Sequence, residues 1–396
     1  MKDERIDRNR CRANAASVRA RSSGPRWKLV IAAGGTGGHI SPALAVAEQI
    51  EAEDPHCRVE FICGKRPVEA EIYRKAGIEP KAMDIRPLER RWWAAPLNAW
   101  NVARATRRVR AHLRADRPRV VLGTGGYACV PVVLGAARLG IPTILHEQNA
   151  VAGRANRWLS RWVNAVACAY DEAAAAFPRD KTEVTGNPVR PEFLDGDRRE
   201  ALRRWELSQT LPTLLVFGGS QGARRLNQIV AEALEHLDRA ANLAGLQILW
   251  SCGEGDWERL RTEIERKKHP NVTVRLVPFI REMGLAYAVA DLALTRAGAM
   301  TLAELTANAV PAILVPLPGA TAGHQRRNAR PLVEKGAALV FEQHELDGRR
   351  LAEALISLLS DRARLRAMRE ASRQLGRRDA TERIAQMILR FRGELA

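Results

Sequence analysis

Two glycine-rich turns, each placed directly after an apolar run, are the segments of this chain best suited to bind phosphate. The first spans residues 34–39 (GGTGGH), and the second spans residues 218–223 (GGSQGA). Glycine permits positive φ and lets backbone N–H groups approach a ligand closely, and a helix that begins at such a turn favours bound negative charge. Because each turn begins its own α/β half, the pair predicts two domains with facing sites.

Neither turn matches the better-known nucleotide motifs. Both lack the third glycine of the dinucleotide fingerprint, and no acidic residue stands clearly at the end of the next strand, where recognition of the NAD ribose requires one. The Walker sequence G-x-x-x-x-G-K-[ST] does not occur. A dehydrogenase and a P-loop NTPase are therefore disfavoured.

Asp195 and Asp197 have the spacing of the metal-binding carboxylate pair of some nucleotide-sugar enzymes. They lie in a polar stretch directly before two arginines, and Asp is a preferred N-cap, so we interpret them as the solvated start of a helix. Without a metal, a leaving diphosphate would need helix N-termini and Ser, Gln or Arg donors. Ser220, Gln221 and Arg190 supply these donor types.

The net charge of the chain is +18, and two segments supply most of it. Residues 1–28 and 89–119 together contribute 13 of these charges. Excess positive charge fits either a nucleic-acid binder or a protein that meets an anionic membrane surface. Residues 1–27 lack hydrophobic periodicity and the apolar segment of a signal peptide, so we predict a disordered basic extension and assign it no function.

Tryptophans accompany the arginines of residues 89–119, and they favour a membrane. Trp prefers the headgroup boundary of a bilayer, and Trp92, Trp93 and Trp100 all occur here. Leu97 and Trp100 are three apart and would share one face of a helix. A nucleic-acid binder would need aromatic stacking platforms, yet only 20 of the 396 residues are aromatic. We therefore predict a membrane-facing patch and no nucleic-acid partner.

The cysteines and the apolar stretches place limits on the compartment. Six cysteines are scattered without a C-x-x-C pair, which is typical of reduced thiols in a cytosolic protein. The most apolar stretch, about residues 128–145, contains an arginine, two prolines and two glycines, which argues against a membrane span. We therefore expect any membrane association to be peripheral.

Short apolar strands alternate with helices, which predicts parallel sheets covered on both faces. Residues 185–190 (TGNPVR) mark the linker between two domains, because Gly and Asn-Pro interrupt regular structure. We predict a first domain over residues 28–188 and a second over residues 189–374, with a C-terminal helix at about 375–396 that packs back on the first. The predicted strands are 29–33, 58–63, 120–122, 143–146, 165–169 and 183–185, then 211–217, 247–251, 272–278, 292–295 and 312–315.

Seven motifs, in order along the chain, make it similar to a known family. They lie at residues 33–39, 123–127, 146–149, 186–190, 218–223, 296–304 and 324–328. Together they resemble the MurG family, peripheral-membrane N-acetylglucosaminyltransferases that convert lipid I to lipid II in bacterial peptidoglycan synthesis. The resemblance runs from about residue 28 to 392. It implies the GT-B fold, in which two Rossmann-like α/β domains with parallel sheets face each other across a cleft, and inversion at the anomeric carbon without metal or cofactor.

The resemblance also implies which residues bind the donor UDP-N-acetylglucosamine and the acceptor. Ser220 and Gln221 would meet the diphosphate, with Arg190 nearby as a charge-assisted donor. Ile280 would contact the uracil, and Glu304 would accept both ribose hydroxyls. Gln325 and Asn328 would face the sugar. Thr36, Gly37, Gly38 and Asn149 would close over the acceptor and the sugar. The full implied set is Thr36, Gly37, Gly38, Asn149, Arg190, Ser220, Gln221, Ile280, Ala299, Met300, Thr301, Leu302, Glu304, Gln325 and Asn328.

The general base that deprotonates the 4-hydroxyl of the muramoyl sugar of lipid I stays open between His39 and Glu147. His39 ends the first glycine turn, and imidazole is the commonest general base in enzymes. Glu147 follows a predicted strand, so its loop reaches the same edge of the sheet. The resemblance implies a peripheral protein at the cytoplasmic face of the inner membrane, with an anionic membrane surface as a partner. Another GT-B glycolipid synthase or a UDP-sugar epimerase is the alternative.

Overall fold

The computed structural model describes residues 27–87, 95–219, 222–240, 245–267, 269–320 and 323–393. Most of the predicted extension, the predicted membrane tryptophans Trp92 and Trp93, and the predicted diphosphate ligands Ser220 and Gln221 lie outside these residues. Within them the chain forms two parallel sheets joined by helices, which confirms the predicted α/β class.

The first sheet has seven strands in the order β3-β2-β1-β4-β5-β6-β7, and all of its paired strands are parallel. The strands are β1 (Trp27–Ala32), β2 (Cys57–Cys63), β3 (Lys81–Ala82), β4 (Val120–Gly123), β5 (Thr143–Glu147), β6 (Ala165–Cys168) and β7 (Thr182–Val184). The helices are α1 (Gly37–Glu53), α2 (Pro67–Lys75), α3 (Ala95–Ala115), α4 (Cys129–Ala137), α5 (Arg154–Leu159) and α6 (Asp171–Ala174).

The second sheet has six parallel strands in the order β10-β9-β8-β11-β12-β13. The strands are β8 (Thr213–Phe217), β9 (Leu246–Ser251), β10 (Val272–Val277), β11 (Leu292–Thr295), β12 (Ala312–Leu314) and β13 (Ala338–Val340). The helices are α7 (Arg198–Arg204), α8 (Arg224–Asp238), α9 (Glu254–Arg266), α10 (Met283–Val289), α11 (Ala299–Ala307), α12 (His324–Glu334), α13 (Gly348–Ser360), α14 (Arg362–Leu375) and α15 (Ala380–Arg392).

The central strands are buried on both faces, as successive residues of β1 illustrate. Leu29 and Ile31 belong to a core that includes side chains of α1 and α15. Val30 and Ala32 point to the opposite side and belong to a core that includes side chains of α3 and α4. Two apolar faces require a continuous apolar run, which is why the strands could be predicted without an alternating pattern.

β1 begins at Trp27, inside the segment predicted to be a disordered extension, so that boundary was wrong by one residue. The Trp27 side chain is buried, its Nε1–H donates to Asp54 Oδ2 at 2.9 Å, and the Arg392 guanidinium lies 5.7 Å from its ring centroid. The apolar run is interrupted by Lys28, whose ammonium group is buried in an ion pair 2.7 Å from Glu60. Because a charged residue interrupts the apolar run, the sequence pattern did not indicate that the strand begins at Trp27.

The chain crosses between the domains twice. The first crossing lies near residues 185–190, and the second joins α14 to α15. α15 packs against α1, with Ile384, Met387 and Ile388 in the core of the first domain. The Thr381 hydroxyl donates to the Val189 carbonyl oxygen at 2.9 Å, which ties the two crossings together.

The direction of strand addition reverses between β1 and β4, and again between β8 and β11. Loops that follow such a pair of strands leave the sheet in opposite directions and open a crevice at its carboxyl edge. In this chain these loops contain the two glycine turns and the segments at 124–128 and 296–298. The topology thus positions the predicted binding segments of each domain at the crevice of its sheet.

Candidate active site

Backbone conformation and close packing both require glycine in the first turn. Gly35 has a φ of +101°, and a Cβ on Gly34 would lie 2.8 Å from the side chain of Ala128. A Cβ on Gly126, in the loop after β4, would lie 2.4 Å from the Gly34 carbonyl oxygen. The loops after β1 and β4 are therefore in direct contact.

The predicted acceptor residues Thr36, Gly37 and Gly38 form the N-terminal end of α1. The Thr36 side chain is exposed and makes no capping hydrogen bond with a described residue, and a Cβ on Gly37 would meet no described atom within 4 Å outside its own helix and its chain neighbours. The first N–H groups of a helix have no partner within that helix. This end of α1 therefore offers N–H groups and open space to an oxygen-rich ligand.

A buried carboxylate that the sequence analysis missed fastens these two loops together. Glu69 is fully buried, and its Oε1 accepts the Gly35 N–H at 2.5 Å and the Tyr127 hydroxyl at 2.7 Å. Burial and the bond to Glu69 raise the pKa of Tyr127 well above its usual range. Glu69 lies on α2, outside every motif named above, so no local pattern marked it.

His39 has one ring nitrogen bound and the other available. Its Nδ1 lies 3.0 Å from the Thr124 carbonyl oxygen and 3.2 Å from Gln148 Oε1. A carbonyl oxygen can only accept, so we assign the proton to Nδ1, which leaves a lone pair on Nε2. No described residue forms a hydrogen bond with Nε2. Gln148 is held in turn by donating to Thr124 O at 2.6 Å. This tautomer is the one that a general base requires.

Glu147, the other candidate base, is buried and holds the loop that follows it. Its Oε1 accepts the Asn149 backbone N–H at 3.1 Å, and its Oε2 accepts the Gly153 N–H at 2.9 Å and Asn156 Nδ2–H at 2.8 Å. Both carboxylate oxygens are thus committed to the loop between β5 and α5. The geometry favours a positioning role over contact with a substrate hydroxyl.

Two predicted ligands, Asn149 and Asn328, are bonded to each other across the cleft. Asn328 Nδ2 donates to Asn149 Oδ1 at 3.2 Å, and Asn328 Oδ1 accepts the Ala150 N–H at 2.9 Å. Asn328 is buried by this contact. In this arrangement the pair joins the domains, and contact of either amide with a sugar would require these bonds to open.

The second glycine turn is built as tightly as the first. Gly219 has a φ of +86° and Gly222 a φ of +72°, and a Cβ on Gly218 would lie 2.4 Å from the Ala223 side chain. The turn leads from β8 directly into α8, whose N-cap residue makes no side-chain capping bond. The N-terminus of α8 therefore follows the turn closely, and a helix N-terminus is the kind of site that binds a diphosphate.

Glu304, the predicted ribose ligand, has one oxygen bound and one available. Its Oε2 accepts the hydroxyl of buried Tyr287 at 2.6 Å, and no described residue donates to its Oε1. Burial raises the pKa of Glu304 to about 7, against the opposing effects of the Tyr287 hydrogen bond and the Arg190 charge. Tyr287 was missed by the sequence analysis because it lies on the preceding helix α10, outside the motif that contains Glu304, and no helical spacing links the two residues.

Arg190, the predicted diphosphate donor, is occupied by carboxylates. Its Nη2 lies 2.6 Å from Glu48 Oε1 of α1, its Nε lies 3.1 Å from the same oxygen, and its Nη1 lies 2.6 Å from Glu192 Oε1. The Glu48 contact joins the two domains. A diphosphate that used the Arg190 fork would have to displace Glu48 from it.

The remaining predicted nucleotide contacts differ in accessibility. The apolar side chains at 299, 300 and 302 in the first turn of α11 are buried, so this turn offers its backbone and Thr301 to a ligand. Ile280 is 3% exposed and packs in the core of the second domain. Its neighbour Phe279, which the sequence analysis missed, is half exposed at the end of β10 and offers a flat apolar surface.

Gln325, the predicted sugar ligand, has an oriented amide. Its Oε1 accepts the Leu317 N–H at 2.8 Å, and its Nε2 has no partner among the described residues. The adjacent His324 is half-buried, and burial lowers its pKa. Both side chains lie at the start of α12, next to the Asn149–Asn328 contact.

Of the pair interpreted as a helix start, Asp197 is confirmed in that role. Asp197 is the N-cap of α7 and accepts the Arg199 N–H at 2.8 Å, while Asp195 forms an ion pair with Arg378 at 2.5 Å. Both carboxylates therefore have structural partners.

The predicted membrane patch is partly described. Leu97 and Trp100 lie at the start of α3 and are 50% and 59% exposed. Arg104 and Arg108 were expected to add free positive charge, but both form ion pairs with Asp84, so part of that charge is neutralised. No helix among the described residues is both long and apolar enough to cross a bilayer.

A second aromatic surface was not singled out from the sequence. Trp158 and Trp162 are each exposed by more than two-fifths, and their ring centroids are 4.6 Å apart. Arg157 and Arg161 are exposed beside them and form no ion pair among the described residues. No Asp or Glu occurs in residues 148–170, so this surface carries uncompensated positive charge.

Both domains match models of known protein families. Residues 29–168 match the glycosyltransferase family 28 N-terminal domain, and residues 213–384 match the glycosyltransferase family 28 C-terminal domain. The first match covers the first sheet up to β6, and the second covers all six strands of the second sheet.

Individual relatives are similar over almost their whole length. The UDP-N-acetylglucosamine--N-acetylmuramyl-(pentapeptide) pyrophosphoryl-undecaprenol N-acetylglucosamine transferase of Desulforudis audaxviator is 40% identical over 373 residues, which is 93% of this chain and 99% of the relative. The enzyme of the same name from Listeria monocytogenes is 38% identical over 368 residues, 91% of this chain and 99% of the relative.

Solved structures show the same fold. The crystal structure of Acinetobacter baumannii MurG superposes with a TM-score of 0.74 at 31% identity and covers 92% of this chain and 100% of that one. A UDP-N-acetylglucosamine 2-epimerase superposes with a TM-score of 0.61 at 15% identity, over 93% of this chain and 97% of that one. At this low sequence identity, the similarity to the epimerase shows a shared fold and nothing more.

Proposed function

The chain belongs to glycosyltransferase family 28, and on this premise we propose that it transfers N-acetylglucosamine from UDP-N-acetylglucosamine to the 4-hydroxyl of the muramoyl sugar of lipid I. It is an N-acetylglucosaminyltransferase, and its product, lipid II, serves peptidoglycan synthesis. The observation that supports this function is the sequence identity of 38–40% to relatives named as N-acetylglucosamine transferases of this reaction. The similarity extends over more than nine-tenths of both chains. We assign the acceptor to the first domain, residues 28–188, and the donor to the second, residues 189–374.

His39 is the general base in this proposal. The acceptor oxygen bonds to the anomeric carbon as the bond from that carbon to the diphosphate oxygen breaks, and UDP leaves with the electron pair. The hydroxyl proton passes to His39 Nε2, the free nitrogen, while Nδ1–H stays bound to Thr124 O. Support comes from the fixed tautomer and from the contrast with Glu147, whose oxygens accept bonds from its own loop.

The leaving UDP is stabilised from the second domain. The second glycine turn and the N-terminus of α8 would receive the diphosphate, with Ser220 and Gln221 as side-chain donors. Glu304 Oε1 would accept the ribose hydroxyls, because Oε2 is already taken by Tyr287. The free amide of Gln325 would donate to the sugar.

The enzyme would meet its lipid-linked acceptor at an anionic membrane surface on the cytoplasmic side. Leu97 and Trp100 support this, and so does the second surface formed by Trp158 and Trp162 with its unpaired arginines. Trp favours the headgroup boundary, and each Arg near an anionic surface contributes about 1 kcal/mol. Trp158 lies on α5 and Trp162 lies three residues after its end, and α5 follows the loop that carries Asn149.

The reaction is tested with the purified full chain, UDP-N-acetylglucosamine and a lipid I analogue. We expect a disaccharide product that requires both substrates. A UDP-sugar epimerase would instead convert the donor in the absence of acceptor. Conversion of the donor alone, with no disaccharide, would contradict the proposed function.

A further inference from the structure

Arg296 is a buried arginine without a carboxylate partner. It follows β11 in the motif at 296–304 and is 8% exposed. No carboxylate of the described residues lies within ion-pair distance of its guanidinium, and burial lowers its pKa. Burying an unpaired charge costs free energy, so a side chain of this kind needs strong hydrogen bonds or a ligand to compensate.

The guanidinium joins the loops that follow three neighbouring strands. Its Nη1 donates to the Val315 carbonyl oxygen at 3.0 Å and lies 3.5 Å from the Pro316 carbonyl oxygen, both just after β12. Its Nη2 donates to Gln343 Oε1 at 2.6 Å, after β13. A planar fork that reaches two acceptors in different directions fixes their relative position in a way that a lysine cannot.

The segment held by Arg296 leads directly to the predicted sugar ligand. Leu317 follows Pro316, and its backbone N–H donates to Gln325 Oε1 at 2.8 Å. This bond uses the acceptor end of the Gln325 amide and leaves the two hydrogens on Nε2 without a partner among the described residues. The amide of Gln325 is therefore oriented through a contact that Arg296 supports one residue away.

We infer that Arg296 is a positioning residue for donor-sugar recognition, acting through the 315–317 loop on Gln325. The inference rests on the proposed function, since it concerns the sugar of that donor. In this role the buried guanidinium holds the 315–317 loop in place. Recognition of the sugar depends on that loop, and recognition of the nucleotide does not. UDP itself carries no group for Gln325, so its binding should not depend on Arg296.

A direct role of the Arg296 charge in diphosphate binding would predict the opposite result. The Nε of Arg296 is buried without a partner among the described residues, and β11 is paired with β8, which leads into the second glycine turn. If the guanidinium served mainly as a positive charge for the diphosphate, its removal would weaken UDP and UDP-N-acetylglucosamine by the same factor.

The test compares Arg296→Lys with the wild type in the full-length enzyme. Lysine keeps the positive charge but lacks the planar guanidinium that reaches two acceptors at once. We expect kcat/KM for UDP-N-acetylglucosamine to fall about tenfold, while the Kd of UDP, measured by calorimetry, changes less than twofold. Gln325→Ala should give the same pattern, and the double variant should be no worse than Gln325→Ala alone, because the two residues act in one chain of contacts.

Arg275→Lys is the matched control. Arg275 also binds two carbonyl oxygens, those of Trp205 at 2.8 Å and Glu206 at 3.1 Å, but it lies on β10 away from the 315–317 loop. It should change neither quantity. If Arg296→Lys fails to fold, Gln343→Ala removes one acceptor of the same fork and should reproduce the selective loss.

Three results would overturn the inference. They are equal losses for UDP and UDP-N-acetylglucosamine, additive losses in the double variant, and a loss of the same size in Arg275→Lys. The proposed function is judged separately, by disaccharide formation in the wild type. Failure of the Arg296 prediction would therefore leave that result untouched.

Discussion

The two halves of the cleft satisfy their polar groups in different ways. In the first domain most of the named groups bond to one another: Glu69 holds Gly35, Glu147 holds its own loop, and His39 Nδ1 is bound to Thr124 O, which leaves His39 Nε2 for a substrate. In the second domain, Glu304 and Gln325 each have one end of the head group bound and the other without a partner among the described residues.

This difference separates a prearranged catalytic half from a half completed by its donor. Hydrogen bonds that are already formed need no reorganisation during the reaction, which favours a base fixed in one tautomer. Polar groups that wait for a ligand supply binding energy and specificity instead. We therefore expect variants of the first domain to affect turnover and variants of the second to affect donor affinity.

The largest expected effect is on turnover. His39→Ala should lower kcat by about 10²- to 10⁴-fold, the usual contribution of a general base, and leave the Kd of UDP-N-acetylglucosamine within a few-fold of wild type. Rapid-quench measurement of disaccharide formation and calorimetry of donor binding would report the two quantities. Added imidazole should restore part of the rate. Turnover within tenfold of wild type would exclude His39 as the base.

The matching variant in the second domain is Glu304→Gln. The loss of a charge-assisted acceptor for the ribose should weaken UDP-N-acetylglucosamine by about 1.5–3 kcal/mol, or roughly 10- to 150-fold. An analogue that lacks both ribose hydroxyls should bind wild type and variant equally. Equal binding of UDP-N-acetylglucosamine itself to both proteins would remove Glu304 from the ribose site.

The pH dependence of the same binding is a further check on this site. The pKa of Glu304 is raised to about 7 by burial, so below pH 7 the carboxyl is mostly protonated in the free enzyme. Ribose hydroxyls bind the ionised form, so donor affinity should fall as the pH drops below about 7, by at most about tenfold per pH unit. Calorimetry across pH 5.5–8.5 should show this slope in wild type and a flat profile in Glu304→Gln. A slope that persists in the variant would assign it to another group.

The sequence predicted most of the strands and the residue types of the site, for a physical reason. Strands such as β1 and β8 are apolar on both faces and are followed by glycine turns, and both signals are local. β11, at Leu292–Thr295, was predicted with its observed bounds. Local signals therefore sufficed where a segment's role depends on its own residues.

The sequence could not predict contacts between distant segments. Glu69 and Tyr287 support the site from helices outside the predicted motifs, Glu48 occupies the Arg190 fork from the other domain, and Asn328 binds Asn149 across the cleft. Each partner is an ordinary residue in its own helix or loop. Only the fold brings them together, so no spacing rule could identify them.

A smaller expected effect distinguishes positioning from catalysis in the first domain. Glu147→Gln replaces one acceptor oxygen by an NH2 group that faces the donors of its own loop, so the protein should lose about 1–3 kcal/mol of stability in denaturant unfolding. Turnover should fall less than in His39→Ala. If turnover instead collapses while stability is unchanged, Glu147 is the base and the assignment to His39 is wrong.

The smallest expected effect concerns the membrane, where the two aromatic surfaces of the first domain can be compared directly. Trp158 and Trp162 each leave roughly 100 Å² exposed, and burial of half of that area in a bilayer interface would contribute about 2.5 kcal/mol at about 25 cal/mol per Å². We expect Trp158→Ser/Trp162→Ser to lower binding to vesicles containing anionic lipid by more than tenfold, measured by sedimentation. Trp100→Ser should have a weaker effect, because Asp84 offsets part of the positive charge of the arginines nearest to it.

Neutral vesicles and added salt separate the contribution of charge from that of the rings. Salt screens exposed charges, so binding of the wild type to anionic vesicles should fall as ionic strength rises, while the double variant keeps wild-type affinity for UDP-N-acetylglucosamine. Full sedimentation of the double variant at moderate salt would place the docking surface elsewhere. The next candidates would then be Trp92 and Trp93, the remaining tryptophans of the predicted membrane patch, followed by the basic extension at residues 1–27, because of its net positive charge.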